Sequence, residues 1–303
     1  MSDTELIEKI QILKKKRKAI ILAHNYQLPE IQDIADYVGD SLGLSRTASQ
    51  TNAKVIVFCG VRFMAETASI LCPDKTVLMP DTSAGCPMAD MITMEGLRAL
   101  KRKHPQATVL GYVNTSAEVK TEIDVCCTSG NAVRVAEALK DAPEIIFVPD
   151  KYLAGYVSHK IGRKFIFWNG HCPTHVRILP HDIIKQKAKY PQAKVLVHPE
   201  CPPVIIKLAD EVLSTEGMVK YVAKSKTNEF IIGTEVGVLH RLRRENPGKK
   251  FYPASELAIC PNMKLTTLEK VLWSLEDMKY EIKVPEEIRV KALAGVQKML
   301  DMK

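Results

Sequence analysis

None of the eight cysteines in this chain stands in a CxxC pair or a CxxxCxxC run. Any metal site must therefore be assembled from distant parts of the chain, and nothing in the spacing suggests a compact disulfide framework. Long apolar runs are missing too: none approaches the ~18 residues that a membrane span needs. The opening Met1-Ser2-Asp3-Thr4-Glu5 is polar and acidic rather than a signal peptide, so a cytoplasmic address is expected, without a membrane partner. Aromatic residues make up only 6% of the chain and form no interleaved platform on which bases could stack. The net charge of +8 is spread along the sequence, and its densest cluster is Lys14–Lys18. That cluster ends an amphipathic helix beginning near Thr4, where basic residues complement the helix dipole, so a nucleic-acid partner is not expected either. The positive balance suits small anionic substrates.

What the chain does have is a threefold repeat. AIILAHNYQLPEIQDIADYVGDS ends at Ser41, TVLGYVNTSAEVKTEIDVCCTS at Ser129 and KVLVHPECPPVIIKLADEVLST at Thr215. They align without gaps at shifts of 88 and 86 residues. His24 matches Tyr112 and His198, Tyr26 matches Asn114 and Glu200, and Asp36 matches Asp124 and Asp210. Each reads as a buried strand, a polar tripeptide, a helix and a hydroxyl residue. The following halves repeat as well: strand-like VIVFCG, EIIFVP and EFIIGT, a helical stretch, then TVLMP, KFIFW or KKFYP, and finally a Cys-Pro. Apolar strands alternating with helices predict parallel sheets covered on both faces. The expected fold is α/β: three pseudo-threefold-related α/β/α sandwich domains around a central site. Their expected bounds are 1–92, 93–178 and 179–265, with a C-terminal helical segment, 266–303, packing on the repeats. The polar tripeptides fall at the C-terminal ends of the first strands, where open α/β sheets place ligands. Pro29 suits the first position of the helix that follows.

The cysteines divide by the same repeat. Cys86, Cys172 and Cys260 each precede a proline at the end of a unit, whereas Cys59, Cys126 and Cys127 fall in strand-like or apolar positions and read as structural. Cys72, at a helix end, has no counterpart, and Cys201, beside His198-Pro199-Glu200, could line the site. Proline fixes the backbone beside a thiolate, which suits a rigid ligand turn. Three soft thiolates favour zinc or an iron–sulfur cluster. Zinc would take a fourth ligand, with His171 or His175 in GHCPTH available. A cluster held by three cysteines would keep one iron open to substrate. Spacing alone leaves both standing.

The motifs together resemble the quinolinate synthase family. They are HNYQ at His24–Gln27, GDS ending at Ser41, CPM at Cys86, YVN at Tyr112–Asn114, CTS at Cys127–Ser129 and GHCPTH at Gly170–His175. HPEC at His198–Cys201, STEGM from Ser214, GTEVG at Gly233–Gly237 and CPNMK at Cys260–Lys264 complete the set, which spans essentially the whole chain. The resemblance implies one [4Fe–4S] cluster per chain on Cys86, Cys172 and Cys260. It implies condensation of iminosuccinate with dihydroxyacetone phosphate to quinolinate, for NAD biosynthesis. An aspartate oxidase or dehydrogenase supplying the iminosuccinate is a candidate partner. The implied substrate-binding residues are His24, Ser41, Tyr112, Val113, Asn114, Ser129, His198, Pro199, Glu200 and Thr215, with Ser214 beside Thr215. Some members carry a CxxCxxC at the last ligand; here Pro261, Asn262 and Met263 follow Cys260 with no further cysteine, so a disulfide switch is not expected.

Residue chemistry suggests the roles. Ser129, Asn114, Thr215 and helix-terminal amides would hold carboxylates, although Ser41, Ser129 and Thr215 could equally be helix caps. His24, Tyr26, His198 and Glu200 would move protons, with Glu200 first choice for the base and Tyr26 second. Glu235 either reaches the centre or is an exposed helix-start glutamate. The alternatives are a [4Fe–4S] hydro-lyase acting on another polycarboxylate and a zinc-stabilised scaffold without catalysis.

Overall fold

A computed structural model describes residues 1–302. Twelve strands form three separate four-stranded sheets, parallel throughout and each flanked by helices. The first holds β1 (Ala19–His24), β2 (Tyr37–Gly39), β3 (Val55–Cys59) and β4 (Thr76–Leu78) in the order β2-β1-β3-β4. The second holds β5 (Ala107–Tyr112), β6 (Val125–Cys127), β7 (Glu144–Val148) and β8 (Ile166–Phe167) in the order β6-β5-β7-β8. The third holds β9 (Lys194–Val197), β10 (Glu211–Val212), β11 (Glu229–Gly233) and β12 (Lys250–Pro253) in the order β10-β9-β11-β12. One strand order occurs three times, as the sequence repeat requires. The central strands are apolar throughout because helices cover both faces: Ile21, Leu22, Ile56, Val57, Ile146, Phe147, Ile231 and Leu196 are all buried.

The second strand of each sheet escaped the sequence reading, which passed from helix to hydroxyl residue directly. β2, β6 and β10 are only two or three residues long, too short to display alternation. What secures each is the repeated aspartate. Asp36, Asp124 and Asp210 stand just before or beside these strands and accept from the amides of Ile21, Val109 and Val195 at 2.8, 2.8 and 2.7 Å. Their own amides donate back to the carbonyls of the same residues. Polar registration at this position is thus scaffold, not site. Replacing Asp210 by Ala leaves the Val195 amide to water, since the position is exposed, and should cost about 1 kcal/mol. A lowered denaturation midpoint with unchanged turnover is the expected result; lost turnover at unchanged stability would contradict the scaffold role.

The helix Asp3–Arg17 opens with a capping box between Ser2 and Glu5 and ends on the basic run, with Lys18 in the left-handed region at φ 51°. That run is used inside the fold: Lys14 pairs with Asp36 at 2.6 Å, and Arg17 donates to the carbonyls of Leu275 and Glu276. The C-terminal helices pack on the repeats. Leu268, Val271, Leu272 and Leu275 of Leu268–Asp277 join the core beneath β1 and β3, while Glu286–Asp301 packs against β6 and the helices Arg62–Leu71 and Ala117–Lys120. No helix among the described residues is long and apolar enough to cross a membrane.

Candidate functional site

The C-terminal ends of β1, β5 and β9 meet around a cavity of about 220 Å³, and so do the three Cys-Pro turns. Every repeat therefore sends a first-strand end and a cysteine to the same space. His24, Tyr26, Ser41, Tyr112, Asn114, Ser129, His198, Glu200 and Thr215 line it, as do Cys86, Cys172 and Cys260. Val113 and Pro199 occupy the same turns but are absent from the wall; the Val113 amide donates to the Cys127 carbonyl at 2.8 Å. Ser214 is also outside the wall. Its hydroxyl accepts from the Gly217 amide at 3.1 Å and caps the helix Thr215–Lys224.

That cap decides the question of the repeated hydroxyls. The caps are Asp40, which accepts from Gly43, and Ser214, each one residue before the registered position. Ser41 and Thr215 are the first helical residues, so their hydroxyls are released from capping, and both residues line the cavity. Ser129 lies ahead of the helix Ala132–Ala138 and pairs with His198 Nε2 at 3.1 Å.

Glu200 is the electrostatic centre. It is 3% exposed, accepts from Tyr112 Oη at 2.5 Å, and its other oxygen lies 2.8 Å from His175 Nδ1 and 3.8 Å from His198 Nδ1. Burial alone would push this carboxyl up; the two imidazoles and the Tyr112 hydroxyl outweigh it and hold the pKa below the usual range. Burial pushes the His24 and His198 imidazoles down to about 3 against the pull of Glu200, so both are neutral at physiological pH. Tyr26 stands edge-on to His24, with ring centroids 4.5 Å apart, and its hydroxyl shares a 2.6 Å hydrogen bond with Thr234 Oγ1. The same threonine oxygen meets His175 Nε2 at 2.8 Å. Thr234 was missed by the sequence reading, although its place just past the end of β11, inside GTEVG, was a usable signal. Arg177 was missed as well; it is exposed at the cavity wall and is the only lysine or arginine there. The Oδ1 of Asn114 is buried with no protein partner, so it awaits a donor from a ligand or water.

The three cysteines share a local design. Each precedes a short 3-10 turn, Ala89–Met91, His175–Arg177 or Pro261–Lys264, and amides two or three residues onward point at the sulfur. Ala89 and Met88 donate to Cys86, His175 to Cys172, and Met263 and Asn262 to Cys260, which also receives the Thr174 hydroxyl. Burial pushes the Cys86 thiol up to about 12, with those amides pulling the other way, and raises Cys172 and Cys260 too. Three half-buried cysteines whose sulfurs face backbone amides at one cavity are a donor set suited to a metal centre. Ligands of one tetrahedral ion, at bonds of about 2.3 Å, sit about 3.8 Å apart. The only set among the described residues whose ligand atoms all fall within 4.8 Å of one another is Cys172, His175 and Glu200. The three cysteine sulfurs do not all fall within that distance of one another. His171, the other suggested zinc ligand, instead faces the Tyr152 ring edge-on.

Two expectations need correction. Cys201 does not line the cavity: it is fully buried in the core under the third sheet, its thiol directed at the Gly233 carbonyl. Packing rather than proximity in sequence decides its side. Glu235 is neither at the centre nor exposed. It is fully buried, 2.9 Å from Lys264 Nζ, and accepts from the Cys260 amide at 3.2 Å and the Gly237 amide at 2.7 Å. Lys264 continues to the Tyr26 carbonyl at 2.5 Å, so the pair braces the last cysteine turn against the first repeat's tripeptide. Gly237 permits this approach, because a Cβ there would meet Tyr26 backbone atoms at 2.8 Å. The remaining cysteines behave as packing: Cys59, Cys126 and Cys127 are fully buried in strands, and Cys72 donates to the Ala48 carbonyl.

Comparison with known proteins gives one answer across the chain. A family model described as quinolinate synthetase A protein matches residues 8–301. A quinolinate synthase of Dehalococcoides mccartyi strain CBDB1 is 59% identical over 297 residues, covering 98% of each chain. One from Methanosarcina barkeri strain Fusaro is 55% identical over 303 residues, with 100% of this chain and 99% of the relative covered. One from Clostridium kluyveri is 54% identical over 303 residues, with both chains covered in full.

Proposed function

The chain belongs to the quinolinate synthase family, and from that premise we propose that it joins iminosuccinate to dihydroxyacetone phosphate, giving quinolinate, phosphate and two waters. Membership makes it an enzyme of NAD biosynthesis with small-molecule substrates. The proposed reaction needs no outside oxidant: one carbon–carbon and one carbon–nitrogen bond form while phosphate and water depart. The observation that carries the reading is the meeting of three strand ends and three Cys-Pro turns, one per repeat, around one cavity.

Cys86, Cys172 and Cys260 are the proposed holders of a single [4Fe–4S] cluster. With three protein ligands, such a cluster supplies a Lewis-acid iron that polarises a substrate oxygen. The chain's own groups do the rest. Ser129, Thr215 and Asn114 reach into the cavity as uncharged partners for the carboxylates, and Ser41 offers a fourth from the opposite repeat. Such donors fix a dianion without trapping the product. Glu200, kept ionised, is the proposed base; Tyr26 and Tyr112 present hydroxyls, and His24 and His198, being neutral, can each give or accept a proton. The three tripeptides differ because an asymmetric substrate presents a different face to each repeat.

The test is to reconstitute the protein anaerobically, supply iminosuccinate generated in situ with dihydroxyacetone phosphate, and measure quinolinate and phosphate. Equal amounts of both are expected. Intact cluster absorption without quinolinate would overturn the reading, and water loss from another polycarboxylate would then favour the hydro-lyase.

A further inference from the structure

Asn25 sits between the two histidine and tyrosine positions that the repeat singles out, yet its counterparts in the other repeats are Val113 and Pro199. It is fully buried, and its side chain leaves its own repeat. Asn25 Nδ2 donates to Thr215 Oγ1 at 2.9 Å, while Oδ1 accepts from Arg241 Nη1 at 3.0 Å. Arg241 is held in turn by Glu216 at 2.9 Å and Glu245 at 2.7 Å. An arginine can only donate, so the oxygen of the amide must face it and the nitrogen must face the threonine. The orientation of this amide is therefore dictated by charge.

We propose that Arg241 and Asn25 are positioning residues that fix the polarity of Thr215, forcing its hydroxyl proton into the cavity toward a substrate carboxylate. Thr215 Oγ1 receives its hydrogen bond from Asn25, and Ser214 has already capped the helix, so the threonine proton has no other claim on it among the described residues. The same pattern of one repeat orienting another's hydroxyl recurs where His198 meets Ser129. A donor fixed in advance binds an anion without first having to be ordered. This inference rests on the reading of Thr215 as a carboxylate-binding residue of a quinolinate-forming site.

The isosteric substitution Asn25→Asp tests it. Aspartate keeps the contact to Arg241, now as an ion pair, but presents an acceptor to Thr215. The threonine proton then turns away from the cavity and leaves lone pairs facing the ligand. Binding of quinolinate to the anaerobic holoenzyme, followed by calorimetry, should weaken about tenfold or more, the effect of one charge-assisted hydrogen bond. KM for iminosuccinate should rise more than KM for dihydroxyacetone phosphate. The decisive comparison is in a Thr215→Val background, where Asn25→Asp should add little further loss. A simple repulsion by the new carboxylate would persist there, and so would a general packing defect. Arg241→Met, which frees the amide to flip, should show a smaller loss that Thr215→Val likewise suppresses, and it serves if Asn25→Asp folds poorly. Unweakened quinolinate binding by Asn25→Asp, or a full additional loss in the Thr215→Val background, overturns the relay. If the unmodified holoenzyme binds no quinolinate, the functional reading itself fails instead.

Discussion

Serine in place of Cys86, Cys172 or Cys260 is expected to abolish the brown absorption of the anaerobically reconstituted protein, whereas Cys59→Ser and Cys126→Ser retain it. Iron should fall from about four atoms per chain to near zero in each of the first three. The basis is the threefold design at the sulfurs. Each proposed ligand lies at the cavity with amides from its own 3-10 turn aimed at it, an arrangement that stabilises a thiolate bound to metal but gives an alcohol little reason to ionise. With one ligand per repeat there is no spare: the other five cysteines are buried in the cores or, like Cys72, bonded to a backbone carbonyl. Cys59 is fully buried in β3, where burial alone pushes its thiol up to about 12. Its replacement buries a hydroxyl and should cost about 1–3 kcal/mol without touching the cluster. Stability and absorption thus move in different variants. Full absorption in any of the first three would refute the ligand assignment, and zinc at one atom per chain in the colourless unmodified protein would refute the cluster.

Which parts of this were legible in the sequence follows from how each signal is generated. The sheets were, because burial on both faces writes continuous apolar runs and the duplications kept them in register. The meeting of the three cysteines was legible for the same reason, as symmetry converts equal positions in sequence into equal positions around an axis. Asp36, Asp124 and Asp210 show the limit of that reasoning: they are as well registered as the histidines, yet they clamp strand edges. Registration marks a shared constraint and does not say whether the constraint is architectural or chemical. Contacts between repeats were illegible altogether. Lys264 reaching the Tyr26 carbonyl, Thr234 linking Tyr26 to His175, and Asn25 reaching Thr215 all join positions with no periodic relation. They arise only once the sheets are placed around the cavity, and Cys201 was misjudged because nearness along the chain does not fix which side of a turn is buried.

Glu200→Gln is expected to lower kcat by about a hundredfold or more while quinolinate binding is kept or strengthened. Glutamine has the same shape and still accepts from Tyr112, so the change removes a charge rather than a strut. The carboxylate it replaces is buried beside His175 and His198, held ionised against the cost of burial, and turned to the cavity where the dianionic ligands must enter. A buried anion facing an anionic substrate hinders binding, so its retention there argues for a task in the reaction, and the proton transfers of ring closure and water loss are the ones available. Losing the charge should therefore relieve repulsion in the bound state and remove the acceptor in the transition state, dividing KM from kcat. Cluster absorption has to be read alongside, since Glu200 lies within ligand distance of Cys172 and His175. Unchanged absorption with kcat collapsed assigns the loss to proton transfer. Retained kcat would transfer the role to Tyr26, whose hydroxyl also stands at the wall and is bonded to Thr234.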